Sequence, residues 1–150
     1  MENTVLYVVI PCYNEEAVLP ETAKQLSGLF QTMTEEKRIS PESKILFVND
    51  GSRDKTWDII CQLKEQNSMF QGIKLAKNAG HQNALLAGLM TAKEYCDCAI
   101  SIDADLQDDI FAIPKFIEKF DQGNQIVYGV RSKRETDTFF KKHTALLFYR

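Results

Sequence analysis

Short, continuous apolar runs recur along the chain and predict strands that are buried on both faces. They lie at residues 5–10, 44–48, 72–76, 98–102 and 125–130. Between them, apolar residues recur three and four positions apart, which predicts amphipathic helices at residues 15–31, 56–66, 82–95 and 110–121. The alternation of strands and helices predicts an α/β fold with a mainly parallel sheet and right-handed crossovers.

Length and composition indicate one globular domain. The chain has 150 residues, of which 44% are hydrophobic and 26% are charged, and it contains no low-complexity tract. Its longest apolar run, residues 5–11, is far shorter than the roughly 18 residues of a membrane span, and no signal peptide is recognisable at the N-terminus. We therefore expect a cytoplasmic protein.

The four cysteines predict reduced thiols. Cys12, Cys61, Cys96 and Cys98 form no CxxC pair and have no histidine at zinc-ligand spacing. We interpret them as mostly buried free thiols of a protein in a reducing compartment.

Positive charge is concentrated at the C-terminal end. The whole chain has a net charge of -3, but residues 131–150 contain six Lys or Arg and two acidic residues, a net charge of +4, which leaves -7 for residues 1–130. This basic segment predicts a polyanionic partner, such as a diphosphate, an acidic lipid or nucleic acid. A solvated helix face is the alternative interpretation.

Polar residues follow each of the first four predicted strands. The strands end in PCYNEE, NDGSRDKT, KNAGHQN and DADLQDD. Any one of these loops alone is explained by a turn and a helix cap. Because the carboxyl ends of parallel strands meet at one edge of the sheet, where open α/β sheets bind ligands, the four loops together predict a ligand site.

The fourth loop predicts a divalent-metal site. If the chain leaves the strand extended, Asp103, Asp105 and Gln107 point to the same side, because side chains of a strand alternate. Neighbouring carboxylates repel each other, and a divalent cation such as Mg²⁺ or Mn²⁺ removes that cost. The alternative is that carboxylates cap the following helix, and Asp108 and Asp109 are better placed for that task.

The segments VVIPCYNEE, FVNDGSRDKT, LAKNAGHQNALLAGL and SIDADLQDD, in this order, resemble the inverting glycosyltransferases of family 2. The resemblance is strongest to the branch of dolichol-phosphate mannose synthases and bacterial polyprenyl-phosphate glucosyltransferases. It implies the GT-A fold, a Rossmann-like, mainly parallel sheet flanked by helices. It also implies a nucleotide-sugar-binding core at residues 1–130 and, at residues 131–150, the start of a region that faces the acceptor and the membrane.

The resemblance implies that residues at the strand ends bind the nucleotide sugar: Pro11, Tyr13, Glu15, Asp50, Asn78, Gly80, Asp103 and Ala104. Pro11 ends its strand without an N–H, so a flat base can lie against the chain. Asp50 is an acceptor-only group that suits an imide N–H or a ribose hydroxyl. Gly80 is alternatively a simple turn residue, and we expect no catalytic role for His81.

The resemblance also implies a metal centre and a mechanism. Asp103, Asp105 and Gln107 would hold Mg²⁺ or Mn²⁺, and the catalytic residues would be Asp105, Arg131 and Arg134. The metal and the two arginines would neutralise the diphosphate leaving group. The expected reaction transfers a hexose, from UDP-glucose or GDP-mannose, to a polyprenyl phosphate with inversion. This acceptor needs no general base, because the second pKa of a phosphate monoester is about 6.

Two alternatives belong to other functional classes. The first is a nucleotide-sugar-binding module without turnover, since longer members of this branch continue into an acceptor segment and membrane helices. The second is a haloacid-dehalogenase-type phosphatase, which also uses a DxD motif. That motif normally follows the first strand and continues with Thr or Val, whereas here it lies at residue 103 and continues with Leu106 and Gln107.

The last twenty residues predict a membrane-surface helix. Phe139 and Phe140 recur seven positions later as Leu146 and Leu147, next to basic residues. This pattern is typical of a helix that lies on an anionic membrane surface, here the inner face. The alternatives are packing on the domain itself or on another subunit of a homo-oligomer. With a lipid acceptor expected, nucleic acid is not an expected partner.

Overall fold

Four parallel strands form the sheet of this protein in a computed structural model, which describes residues 3–130. The strands are β1 (Leu6–Cys12), β2 (Lys44–Asn49), β3 (Phe70–Lys74) and β4 (Cys98–Ser101). The helices are α1 (Leu19–Glu35), α2 (Thr56–Gln66), α3 (His81–Ala92) and α4 (Ile113–Asp121), and a 3₁₀ turn at Ile110–Ala112 precedes α4. The predicted α/β class with a parallel sheet is confirmed.

The strand order is β3-β2-β1-β4. β1 is therefore central: its Val9 is opposite Leu46 of β2 on one side and Ser101 of β4 on the other. The chain moves outward from β1 to β2 and β3 and then returns to place β4 on the other flank of β1. This reversal creates a topological switch point between β1 and β4, the position at which open α/β sheets bind ligands.

Because successive side chains of a strand point to opposite faces, the sheet has a hydrophobic core on each face. On one face Leu6, Val8 and Ile10 pack with residues of α1, α2 and α4. On the other face Val9 and Val48 belong to the cluster beneath α3. A Cβ atom at Gly88 of α3 would collide with the side chains of both valines, so a small residue there allows α3 to lie close to the sheet.

The prediction of a fifth strand at residues 125–130 is wrong. This segment has no strand in the structure, although it lines a hollow beside β4 together with Phe116 and Phe120. Among the described residues, Ile126, Tyr128 and Val130 of the apolar run that predicted this strand are all exposed. β4 is consequently an edge strand of the described sheet, and its Ala99 and Ser101 are exposed rather than buried as predicted.

Helix α1 begins at Leu19, four residues later than predicted. The intervening residues form a turn in which the backbone N–H groups of Val18 and Leu19 donate to the carbonyl of Glu15. Pro20 follows in the first turn, where its missing N–H costs nothing. Strand β3 begins at Phe70, two residues earlier than predicted, and α3 ends at Ala92 rather than at residue 95. Within residues 3–130, no helix combines the length and hydropathy needed to cross a membrane.

All four cysteines are free thiols, as predicted. Cys12 is buried and the other three are partly buried. Burial raises the pKa of the Cys12 thiol far above its usual range, and burial together with neighbouring Cys96 raises the pKa of Cys98 to about 12. Cys12 and Cys98 are therefore protonated at neutral pH.

Candidate functional site

The loops that follow β1 and β2 are joined by hydrogen bonds between backbone and side chains. The N–H of Asn14 donates to Ser52 Oγ at 3.0 Å, and the N–H of Arg53 donates to Asn14 Oδ1 at 2.8 Å. The N–H of Glu15 donates to Thr56 Oγ1 at 2.9 Å. Asn14 has a φ of 56°, a left-handed conformation that Asn tolerates better than most residues. The two loops therefore form one rim at the carboxyl ends of β1 and β2.

Asp54 strengthens this rim. Its Oδ1 accepts the hydroxyl of Thr56 at 2.6 Å and the backbone N–H of the same residue at 3.0 Å, while its Oδ2 accepts the N–H of Glu16 at 3.1 Å. Burial alone would raise the pKa of Asp54, but these hydrogen bonds outweigh it and lower the pKa below its usual value. The carboxylate is thus ionised and structural. In the sequence, Asp54 is recognisable only as part of a polar loop.

The buried carboxylate of Asp50 connects the end of β2 to the start of α3. Its Oδ1 accepts the backbone N–H of Ala79 at 2.7 Å, and its Oδ2 accepts that of Gly80 at 3.1 Å. Asp50 is only 3% exposed. The resemblance implied that the Asp50 carboxylate accepts hydrogen bonds from the base or ribose. The two bonds to backbone N–H groups already occupy part of the acceptor capacity of this carboxylate. Any contact with a nucleotide would therefore be made by a side chain that already orders the third loop.

The third loop approaches the second so closely that the second needs glycine at residue 51, whereas the third has glycine at residue 80 because of its backbone conformation. Gly51 has a φ of 67°, and a Cβ there would lie 2.5 Å from the backbone nitrogen of Asn78. Gly80, the N-cap of α3, has a φ of 90°. Its N–H is also accepted by the side chain of Asn78 at 3.1 Å. The predicted roles of Asn78 and Gly80 thus include loop geometry, as the turn interpretation of Gly80 anticipated.

The acidic loop after β4 presents its polar residues to solvent in alternation with buried ones. Asp103, Asp105 and Gln107 are exposed, whereas Ala104 is buried and Leu106 is partly buried against the core. The predicted common direction of these three polar side chains assumed an extended chain after β4. The chain does not leave β4 fully extended, however, because Leu106 has a φ of 57° and the loop turns there.

Neighbouring carboxylates hold the acidic loop in this turn. Asp105 Oδ1 accepts the backbone N–H of Gln107 at 3.1 Å, and Asp108 Oδ2 accepts that of Asp103 at 3.3 Å. Asp109 caps the 3₁₀ turn by accepting the N–H of Phe111 at 3.0 Å. The capping role predicted for Asp109 is therefore present. Asp108 instead braces the backbone of Asp103.

Negative charge accumulates where the first and fourth loops meet. Burial raises the pKa of Glu15 above its usual value, and the charges of Asp105, Asp54 and Asp103 raise it further. His81 Nε2 lies 3.8 Å from Asp103 Oδ1, and this imidazole is positively charged only when protonated. The edge of the sheet therefore has the electrostatic character of a cation site.

The donor atoms suit an oxygen-liganded divalent cation that shares its shell with other ligands. Within residues 3–130, no group of three or more His, Cys, Asp and Glu side chains is arranged to enclose a metal ion. Mg²⁺ and similar ions commonly take only one or two carboxylates from the protein and the remaining oxygens from water and substrate phosphates. Asp103, which lines a small hollow, and Asp105 are both exposed and fit that mode.

A hollow of about 120 Å³ lies at the switch point between β1 and β4. Pro11, His81 and Asp103 are among its lining residues. A second hollow of about 480 Å³ shares Ser101, Ile102 and Asp108 with the first and extends toward α4. The smaller hollow is below the usual size of a ligand pocket, which begins at about 300 Å³, but the two adjoin each other beside the acidic loop.

The structure brings most of the predicted site residues to one edge of the sheet. Tyr13 is 42% exposed there, Pro11 is buried and Glu15 is partly buried. Ala104 is 4% exposed, and its carbonyl oxygen accepts a hydrogen bond from Thr22 Oγ1 at 2.6 Å. Thr22 was not among the predicted site residues, because a threonine within an amphipathic helix carries no local signal of such a contact.

Two predicted site residues and one predicted segment lie outside the described residues. Arg131 and Arg134, expected to contact the diphosphate, belong to residues 131–150. The predicted membrane-surface helix lies in the same range.

Comparison with known proteins places these features in a family. The family model "Glycosyl transferase family 2" matches residues 7–150. The chain is 57% identical over 146 residues to "Uncharacterized glycosyltransferase YkoT" of Bacillus subtilis, an alignment that covers 97% of this chain and 43% of the relative. It is 38% identical over 144 residues to "Bactoprenol glucosyl transferase" of Shigella phage SfV, covering 95% of this chain and 44% of that protein.

A solved structure has the same fold at low sequence identity. The crystal structure of S. aureus TarS, residues 1–349, aligns with a TM-score of 0.61 and 19% identity, over 79% of this chain and 32% of TarS. This confirms the predicted GT-A fold. The chain spans less than half the length of the curated relatives described above.

Proposed function

Because the chain belongs to glycosyl transferase family 2, we propose that residues 3–130 form the donor-binding core of an enzyme that transfers a hexose from a nucleotide-diphosphate sugar to a polyprenyl phosphate with inversion. The observation that carries this proposal is the placement of Asp103 and Asp105. Both are exposed at the carboxyl end of β4, beside the switch point, and their charges add to the burial that raises the pKa of Glu15. A diphosphate bound through a divalent cation is the ligand that suits this charge.

Asp103 and Asp105, with Gln107, would hold Mg²⁺ or Mn²⁺ at this position. When bound, such an ion supplies Lewis-acid neutralisation of the diphosphate leaving group. The chain's own contribution is orientation: Asp108 braces the N–H of Asp103, and the turn at Leu106 directs the acidic side chains outward. Pro11 lies near the end of β1 and Tyr13 directly follows that strand, where a base and ribose would pack.

The proposed acceptor is a lipid-linked phosphate, because the name of the Shigella phage relative, bactoprenol glucosyl transferase, indicates such an acceptor for that protein. The chemistry of this acceptor requires no general base. A phosphate monoester is already largely a dianion near neutral pH, since its second pKa is about 6. Arg131 and Arg134 are proposed to contact phosphate groups, and residues 131–150 to bind the anionic inner membrane face. The preferred donor is UDP-glucose, with GDP-mannose as the alternative.

The haloacid-dehalogenase alternative is not retained, because the acidic pair follows β4 rather than the first strand and the family model is that of a glycosyl transferase. A binding module without turnover is the alternative that experiments must separate from an enzyme.

Thermal unfolding with a panel of UDP, GDP, dTDP and CDP, each with Mn²⁺ or with EDTA, tests the donor site. A nucleotide at 100 times its dissociation constant stabilises the folded state by about 2.7 kcal/mol. For a domain of this size, that corresponds to an increase in Tm of roughly 5–10 °C. We expect UDP with Mn²⁺ to give the largest increase. Equal increases in Mn²⁺ and in EDTA would contradict the metal-dependent site.

Transfer of radiolabelled glucose to polyprenyl phosphate tests catalysis separately. We expect donor binding by the 150-residue chain with little or no transfer, and transfer once the chain is extended to the length of its relatives. Donor binding without transfer by the extended protein would favour the binding module.

Cosedimentation with anionic liposomes at low and high salt tests the membrane contact, since each basic residue near the surface contributes about 1 kcal/mol that salt screens.

A further inference from the structure

One buried hydrogen bond connects helix α1 to the acidic loop. Thr22 Oγ1 lies 2.6 Å from the carbonyl oxygen of Ala104, across 82 residues of sequence. Thr22 is fully buried and Ala104 is 4% exposed. Ala104 is the residue between Asp103 and Asp105, so the bond reaches the centre of the acidic pair.

The hydroxyl of Thr22 has a choice of acceptors. It also lies 3.1 Å from the carbonyl oxygen of Val18, the usual partner of a threonine one helical turn later. A hydroxyl has one proton to donate, and the shorter contact is to Ala104. The carbonyl of Ala104 is thereby satisfied inside the core rather than by water.

Several contacts hold the residue between the two carboxylates in place. The side chain of Ala104 belongs to the core cluster that includes Leu19, Ile102 and Ile110. Two residues later Leu106 adopts a φ of 57°, a conformation that leucine rarely takes and that persists only where the surroundings enforce it. With Ala104 and Leu106 held inward, Asp103 and Asp105 are left exposed to solvent in the acidic loop.

We propose that Thr22 is a positioning residue for the acidic loop: by holding the Ala104 carbonyl, it sets the separation and direction of Asp103 and Asp105 for a shared divalent cation. This inference rests on the proposed metal-dependent nucleotide site. Thr22 itself touches neither metal nor nucleotide. Its effect should therefore be specific to the metal and leave contacts of the rim with the nucleotide unchanged.

Thr22→Val tests the proposal, because valine retains the shape of threonine and lacks the hydroxyl. Isothermal calorimetry would measure UDP affinity in Mn²⁺ and in EDTA, together with Mn²⁺ affinity in the presence of UDP. Groups that orient metal ligands typically contribute about 10- to 100-fold to metal affinity. We expect Thr22→Val to weaken Mn²⁺ binding by roughly tenfold, with UDP affinity in EDTA unchanged.

Two further variants make the test specific. Thr22→Ser keeps a hydroxyl and should restore Mn²⁺ affinity to within about threefold of the unmodified protein. Thr32→Val is the matched control, since exposed Thr32 on the same helix donates only to the carbonyl of Gly28. It should leave both affinities unchanged. If Thr22→Val fails to fold, an Ala104→Gly variant, which frees the loop while keeping the carbonyl, replaces it and should weaken Mn²⁺ binding in the same way.

The outcomes are distinguishable. Unchanged Mn²⁺ affinity in Thr22→Val, with Mn²⁺ still strengthening UDP binding in the unmodified protein, would overturn the role of Thr22 and leave the proposed function standing. An equal loss of UDP affinity in EDTA would show a merely structural role and also overturn it. No effect of Mn²⁺ on UDP binding to the unmodified protein would overturn both the inference and the metal-dependent function.

Discussion

The carboxylate of Asp50 accepts the backbone N–H of Ala79 at 2.7 Å, across 29 residues of sequence. This bond and its partner to Gly80 attach the loop before α3 to the end of β2. The loop that would flank a bound nucleotide is thus held by the same side chain that the resemblance assigned to the nucleotide. A substitution of Asp50 should therefore change both the stability of the domain and the affinity for nucleotide.

Asp50→Ala is expected to lower the free energy of unfolding by roughly 1.5–3 kcal/mol, because hydrogen bonds to a buried charged acceptor contribute that much. The backbone N–H of Ala79 loses its partner, whereas that of Gly80 keeps its contact with Asn78. Urea unfolding measures the loss. Asp58→Ala, which removes an exposed carboxylate from α2, is the control and should change stability by less than about 0.5 kcal/mol. Equal stability of both variants would show that the two bonds contribute nothing to folding.

Gly51→Ala should destabilise the protein, whereas Gly28→Ala should stabilise it. A Cβ at Gly51 would approach the backbone of residues 77 and 78 to 2.5–2.7 Å at a φ of 67°. At Gly28, within α1, no atom lies within 4 Å of such a Cβ, and alanine is favoured over glycine in a helix by about 1 kcal/mol. Thermal unfolding of the two variants gives the comparison. Shifts of the same sign would contradict the close approach of the second and third loops.

The raised pKa of Glu15 makes stability depend on pH in a defined direction. The folded state favours the protonated carboxyl, so ionised Glu15 carries a penalty. That penalty is absent below the usual glutamate pKa of about 4.3 and is fully present above the raised pKa of the folded state. Relative to the unmodified protein, Glu15→Gln should therefore gain stability as the pH rises through this window. Urea unfolding at several pH values measures the difference, and a difference independent of pH would count against charge crowding at the site.

Asp105→Asn should uncouple nucleotide from metal. In the unmodified protein Mn²⁺ is expected to strengthen UDP binding by roughly 5- to 150-fold, the usual range of coupling between two ligands. Replacing one carboxylate oxygen with an amide nitrogen removes a negatively charged ligand, so most of this gain should disappear in calorimetry. Glu65→Gln changes an exposed acid near the C-terminal end of α2 and is the control, which should retain the gain in UDP affinity from Mn²⁺. Full coupling in Asp105→Asn would remove Asp105 from the proposed metal site.

The sequence by itself determined the order of strands and helices and the edge at which polar residues collect. Both follow from local patterns, since periodicity reports which side of an element is buried and polar loops after parallel strands meet at one edge. The motifs also identified the family. The continuous apolar run at residues 125–130 predicted a strand wrongly, because a local pattern does not reveal whether a partner strand or a covering layer is present.

Only the tertiary structure decided which backbone group each polar side chain serves. Asp50 and Asp54 look alike in the sequence, yet one holds the start of α3 and the other joins the first two loops. Thr22 has no local feature that points to Ala104, 82 residues away. Such pairings depend on how closely loops and helices approach after the core has packed, and that distance is set by many side chains together rather than by the residues that make the bond.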